Sequence, residues 1–381
     1  MVTGDPSGEA HAAAAVRELR RLRPEARLIG TGGERLADAG VEVIPGTGDM
    51  AMLGFLEIVP HLARMRGLLQ RLTRLALDAD LVMTVDYSGF NLRLLRELDS
   101  LSPRGRRTRT LHYIPPKTWA WGGARARELA RLADRVACIL PFEEPLLRRD
   151  GVRASYVGNP LLDGAEPIVD RAADGRPLLA LFPGSRTREV GAHSGIFLSV
   201  AAKLRRLLPE LEVAVGMSSA LPEAVYRSAW REWADEAGAE HIEPAFVADT
   251  STLLGSARAA IAKSGTITLE CALAGLPHVV GYRVSRISWR FIGKRLAVGS
   301  FSLPNLIAGR EIVPELIQAA CVPSAFARAL RPLLDASPER EAQLVGFEEV
   351  RELLEAPATP AGASVAERVA LMAADLLQAA P

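Results

Sequence analysis

Apolar positions along this 381-residue chain fall into two alternating patterns. Short runs such as Leu81–Val85 and Leu178–Phe182 are apolar at nearly every position, the mark of strands buried on both faces of a sheet. Between such runs, Ala10–Leu22, His61–Leu77, Leu92–Leu98 and Ala124–Ala133 carry apolar residues three and four apart, which predicts helices. Further strands are expected at Ala26–Gly30, Val41–Ile44, Thr108–Tyr113, Arg135–Ile139 and Ala154–Val157. Strand and helix in alternation predict a parallel sheet covered on both faces.

The rhythm breaks in a loop over 161–176, rich in Asp, Gly and Pro, and then restarts. Helices are expected at Gly195–Leu208, Glu223–Ala237 and Leu269–Ala274, with strands at Leu211–Val215, Ala257–Ala262 and Pro277–Tyr282. The pattern predicts an α/β chain of two Rossmann-like domains, residues 1–164 and 165–330, facing across a cleft. Residues 331–381 are expected to be helices that pack back toward the first domain. Met1–Thr3 is too short for an ordinary first strand, so that strand is clipped or the start codon lies upstream.

Composition narrows the class. Apolar residues make up 49% and charged residues 24%, with a net charge of +1, the profile of a globular protein without a basic field for nucleic acid. Cys138, Cys271 and Cys321 lie in apolar surroundings without metal-ligand or CxxC spacing, so free buried thiols are expected. No apolar run reaches the ~18 residues of a membrane span and no signal-peptide pattern opens the chain, which suggests a cytoplasmic protein.

Candidate chemistry sits where strands end. The segment Ser264-Gly265-Thr266 follows an apolar run and precedes a helix, a geometry that aims backbone N–H groups and a helix dipole at a phosphate. Glu270, one turn further on, suits a ribose. An ordinary capped turn explains the same residues, and the segment alone leaves both readings open. Asp86 at the end of Leu81–Val85 suits general-base work, or an Asx turn. Arg186, after Pro183-Gly184-Ser185, suits a diphosphate or a surface ion pair. Trp119 and Trp121 suit a sugar or the packing of a wall. No carboxylate cluster suggests Mg²⁺, so neither metal nor cofactor is expected.

Taken in order, these pieces resemble the lipid-A-disaccharide synthase family of inverting GT-B glycosyltransferases. The resemblance runs through Gly4-Asp5-Pro6-Ser7-Gly8-Glu9, Leu53-Gly54-Phe55-Leu56-Glu57-Ile58, Asp86-Tyr87-Ser88-Gly89-Phe90-Asn91 and Tyr113 to Trp121. It continues through Leu140–Glu143, Val157–Pro160, Pro183–Arg186, Ser264–Glu270, Val279–Arg283, Ser302–Leu306 and Gly309–Glu311. The chain departs from the family pattern at Asp5 (Glu in the family), Gly89 (an acid) and Asn159 (a His), and at Pro115 and Lys117.

The resemblance implies transfer of 2,3-diacylglucosamine from UDP to 2,3-diacylglucosamine 1-phosphate. Asp86 is then the base. Arg186, Glu189, Ser264, Gly265, Thr266, Glu270, Tyr282 and Asn305 are expected at the UDP-sugar, and Asp5, Ser7, Gly8, Asn91 and Trp119 at the acceptor. Such substrates imply peripheral attachment to the inner face of the cytoplasmic membrane. The segment Met52–Leu77 mixes apolar residues with Arg64, Arg66, Arg71 and Arg74, as an interfacial helix does, and equally as a helix buried against the sheet does. A homodimer is compatible with this reading. Three competitors stay open: a relative with another UDP-hexosamine donor or acceptor, an epimerase, and a non-catalytic nucleotide-sugar binder. An NAD-dependent enzyme is disfavoured because no GxGxxG opens a first helix.

Overall fold

A computed structural model describes residues 1–4, 6–45, 58–101, 108–121, 123–163, 168, 176–237, 239, 242–285, 289, 299–355, 360 and 362–378. Asp5 and residues 53–57 of the expected motifs lie outside these. The chain divides into two compact units, Met1–Asp163 with Glu355–Pro381, and Gly164–Leu354. Residues from 331 onward are therefore shared. Helices Pro323–Leu334 and Pro338–Glu355 fall almost wholly in the second unit, and the last helix, Val365–Gln378, belongs to the first.

In the first unit β3 (Leu81–Val85), β4 (Arg109–Tyr113), β5 (Arg135–Cys138) and β6 (Ala154–Tyr156) form a parallel sheet in that order. A second parallel pair joins β1 (Ile29–Gly30) to β2 (Glu42–Val43). Val2 links the two sheets, bridging Thr31 on one side and Thr84 on the other. Its N–H donates to the Met83 carbonyl at 2.8 Å, and its own carbonyl accepts from the Val85 N–H at 2.8 Å. Val2 thus sits between the two sheets in the position of a strand.

Helix α1 (Pro6–Leu22) follows Val2 and buries Ala12, Val16 and Leu19 on one face of the sheet, beside Met83, Val85 and Leu111. Val365, Val369, Ala370 and Ala373 of the last helix complete that same core. Helix α4 (Ser88–Leu101), after β3, takes the opposite face with Leu92 and Leu95 against Val136 and Cys138. Strand order therefore reverses between Val2 and β3.

The second unit holds one six-stranded parallel sheet with β7 (Leu178–Phe182), β8 (Glu212–Gly216), β9 (Ala245–Val247), β10 (Ala259–Lys263), β11 (His278–Tyr282) and β12 (Glu315–Ile317). Its order is β12-β11-β10-β7-β8-β9, the doubly wound order with a reversal between β7 and β10. Side chains alternate faces: Leu179 and Leu181 join the core under α8 (Thr187–Leu207), and Ala180 and Phe182 join the core with Cys271 of α11 (Thr266–Leu273). The helices after β7 and β10 leave on opposite faces, which opens a crevice above the ends of those two strands.

Several helices begin earlier than their apolar pattern. Helix α8 starts at Thr187 rather than Gly195, because its first turns carry polar residues and two glycines. Gly195 is no start signal. A Cβ there would stand 2.6 Å from the Trp233 ring of α9 (Glu223–Ala237), so glycine is what lets those helices meet. Of the expected interfacial segment, α3 (Ile58–Leu77) buries Leu72 and half-buries Met65, Leu68 and Leu69 against Val2, Ile44, Phe90 and Leu94. Arg66, Arg71 and Arg74 are exposed. Among the described residues no helix is long and apolar enough to cross a membrane. The three cysteines are buried and free.

Candidate functional site

Each unit brings some of its candidate residues to the reversal point of its own sheet, where parallel α/β sheets bind ligands. In the first unit these are Gly4, two residues after Val2, and the Asp86-Tyr87 turn after β3. The two touch: a Cβ on Gly4 would lie 2.3 Å from the Tyr87 ring, so only glycine fits. Asp86 and Tyr87 both adopt the left-handed backbone region, with φ of 45° and 40°. Two such residues in succession cost on the order of 1–3 kcal/mol each and persist only where the surroundings fix them. Here the Asp86 N–H donates to the Tyr113 carbonyl at 2.9 Å. The Asn91 amide donates to the Asp86 carbonyl at 2.7 Å and to the Val85 carbonyl at 3.2 Å. Asn91 is fully buried, so it positions Asp86 from below rather than reaching a ligand.

Other first-unit candidates divide. Ser7 is exposed in the first turn of α1, and Gly8 beneath it is buried. Glu9 accepts from the Gly33 N–H at 3.0 Å and the Leu36 N–H at 3.3 Å, holding the start of α2 (Glu34–Asp38). Trp119 donates its indole N–H to Glu143 at 3.0 Å and sets its ring edge-on to Phe142. Glu143 is buried, and burial pushes its carboxyl up to about 7 despite the bonds from Trp119 and the Leu140 N–H. Asn159 accepts from the Leu161 N–H at 3.0 Å and donates to the Ile139 carbonyl at 3.1 Å. That caps the short helix Pro160–Leu162, so the family's His position is filled here by a local cap. Gly89 has open space around it, so nothing packs where the family's second acid would stand.

In the second unit the loops after β7 and β10 carry Arg186 and Ser264–Thr266. Gly184, at φ 133°, makes the turn, with its position set against Glu189. The Glu189 carboxylate accepts from the Ser185 N–H at 3.2 Å and from Lys263 Nζ at 2.9 Å, with Arg186 at 3.5 Å. Burial would raise this carboxyl, but Lys263, the Ser185 N–H and Arg186 hold it below the ordinary range. Glu189 therefore organises the loop and orients two cations. The Arg186 side chain is 82% exposed at the mouth of the crevice. Glu270 is half-buried; its backbone carbonyl accepts from the Ala274 N–H at 3.0 Å, its carboxylate has no hydrogen bond or ion pair among the described residues, and burial raises that carboxyl.

His193, unremarked in the sequence, ties α8 to the end of β11. Its Nδ1 is 2.7 Å from the Glu189 carbonyl and its Nε2 accepts from the Arg283 N–H at 3.0 Å. Those contacts require the neutral Nδ1–H tautomer, and burial lowers its basicity accordingly. Tyr282 closes the same side, 5.7 Å from Lys263 Nζ to its ring centre.

Two candidates serve the scaffold. The Ser264 hydroxyl donates to the Phe301 carbonyl at 2.6 Å, fixing the loop to its neighbour. The buried Asn305 amide donates to the Val313 carbonyl at 2.9 Å and Glu315 at 2.8 Å, and accepts from the N–H groups of Ile312 and Val313 at 2.7 and 2.9 Å. Nothing of that amide is left to meet a nucleotide. Glu315, which the sequence did not flag, also accepts from Phe301 N–H, Ser302 N–H and Ser302 hydroxyl.

Two parallel doubly wound units, each with candidate loops at its reversal point, are the arrangement of the GT-B fold. Solved structures agree in fold: an Anabaena protein, HepE, in complex with UDP and glucose, superposes with a TM-score of 0.58 at 13% identity, covering 100% of this chain and 98% of that one. The calicheamicin glycosyltransferase CalG4 superposes at 0.55 with 15% identity and the same coverage. The family-level sequence profile of lipid-A-disaccharide synthetase matches residues 1–369. A lipid-A-disaccharide synthase of Anaeromyxobacter dehalogenans strain 2CP-C is 35% identical over 373 residues, covering 94% of each chain. The chain belongs to the lipid-A-disaccharide synthase family of hexosyltransferases.

Proposed function

We propose that this chain transfers 2,3-diacylglucosamine from its UDP conjugate to 2,3-diacylglucosamine 1-phosphate, forming lipid A disaccharide 1-phosphate and releasing UDP. The observation that carries the reading, beyond family membership, is the fixed left-handed turn that presents Asp86 at the reversal point of the first sheet. Asp86 takes the proton of the acceptor hydroxyl as its oxygen bonds to the anomeric carbon. The bond from that carbon to the UDP oxygen breaks on the opposite side, inverting the centre. Arg186 and the N–H groups opening α11 meet the charge that develops on the leaving diphosphate. The Glu270 carboxylate accepts hydrogen bonds from the ribose, and the acceptor sugar lies with the first unit beside Ser7. Attachment to an anionic membrane surface brings the enzyme to its acylated substrates.

The test combines the two diacylated sugars with purified protein. UDP release should require the acceptor, and Asp86→Asn should lower turnover by about 10²–10⁴-fold while UDP affinity stays unchanged. UDP release indifferent to the acceptor, or a loss below about tenfold, would return Asp86 to the role of a turn residue.

A further inference from the structure

We propose that Lys263, the last residue of β10, is a diphosphate-binding residue held in readiness by Glu189. This rests on the reading of the second unit as the UDP site. Lys263 is one of four lysines among 46 basic residues, so its place at this point is not a product of the chain's arginine bias. Strand pairing puts Ala262 beside Phe182 and Lys263 beside Gly281, so Lys263 stands at the level of Pro183, where the sheet order reverses. Its ammonium bridges that reversal, running from β10 to Glu189 of α8 at 2.9 Å. Lys263 and Glu189 keep only 15% and 18% of their side-chain surface exposed, whereas Arg186 lies open.

The arrangement has a chemical consequence. A carboxylate alone beside a diphosphate would repel it. With Lys263 and Arg186 both at Glu189 Oε1, the cluster carries one net positive charge and offers the Ser185 loop in a fixed shape. An ammonium on a flexible four-carbon stem can turn from Glu189 toward a phosphate oxygen with little displacement of its backbone. Arg186, left exposed, supplies the outer contact, and Lys263 supplies the inner one beside the Ser264–Thr266 loop. Glu189 thereby acts as a positioning residue that holds the lysine beside the loop before a nucleotide binds.

Calorimetry with UDP and with uridine separates the roles. Lys263→Met should weaken UDP by about tenfold or more, as expected for a charge-assisted contact, with uridine changed less than about twofold. Lys263→Arg should keep most of the UDP affinity. Because Lys263→Met leaves Glu189 uncompensated, Lys263→Met with Glu189→Gln removes both charges, and the same selective loss is expected in that protein. Unchanged UDP affinity in both variants, or equal losses for UDP and uridine, would show that Lys263 only neutralises Glu189 and overturn the proposal. Wild-type protein that fails to bind UDP would instead overturn the placing of the nucleotide, and this inference with it.

Discussion

At the scale of single residues, the buried carboxyl of Glu143 has a measurable consequence. Its folded-state value of about 7 lies above the ordinary carboxyl range, so the folded chain holds a proton there that the unfolded chain has lost. Stability from this group is full at low pH and is lost as pH rises from the ordinary carboxyl value toward 7, with a slope approaching about 1.4 kcal/mol per pH unit. Glu143→Gln should remove that fall, so the variant gains on the wild type in thermal melts between pH 5 and about 7 and not at pH 4. Parallel curves would mean that Glu143 titrates normally. Asn305 yields a second test. Asn305→Ala strands two backbone N–H groups and a carbonyl, and should cost about 2–4 kcal/mol in denaturant unfolding. Asp86 and Arg186 were legible as candidates because they follow strand ends, and Glu270 because it lies one turn into the helix after such a loop. The saturation of Asn305 was not, since its partners Ile312, Val313 and Glu315 form no local pattern with it.

At the scale of elements, the strands were the most legible parts, because a run buried on both faces needs no partner to betray it. Leu81–Val85 and Leu178–Phe182 match their sequence ranges to the residue. Helix starts were less legible, because caps and first turns are polar and follow no apolar period. Gly195 illustrates the reason: its role is set by Trp233 on another helix, 38 positions away in the chain. Gly195→Val should therefore force α8 from α9 and destabilise the second unit by about 2 kcal/mol or more, checked by chemical denaturation. The face of α3 that carries exposed Arg66, Arg71 and Arg74 leads to a different measurement. Wild-type protein should co-sediment with anionic vesicles at low salt, and changing these three to Glu should weaken that binding. Wild-type protein left in the supernatant would make α3 a helix of the sheet's cover and nothing more.

At the scale of the whole molecule, the chain's end returns to the unit in which it begins. Val365, Val369, Ala370 and Ala373 fill the core beside α1, and Arg368 donates to the Val157 carbonyl at 3.2 Å. Val369→Asp would bury an unpaired charge in that core, so the first unit should lose about 3 kcal/mol or more while UDP binding by the second unit persists. Loss of both together would mean that the units fold as one. The sequence by itself determined the α/β class, the repeated strand–helix order and the candidate loops at strand ends, because apolar period and turn residues are local properties. Only the tertiary structure decided that Val2 bridges the two sheets of the first unit, that of the C-terminal helices it is the last that joins the first core, and that Lys263 meets Glu189 from 74 positions away. Each of these depends on which distant segments become neighbours, and a linear pattern of polar and apolar residues holds no record of that.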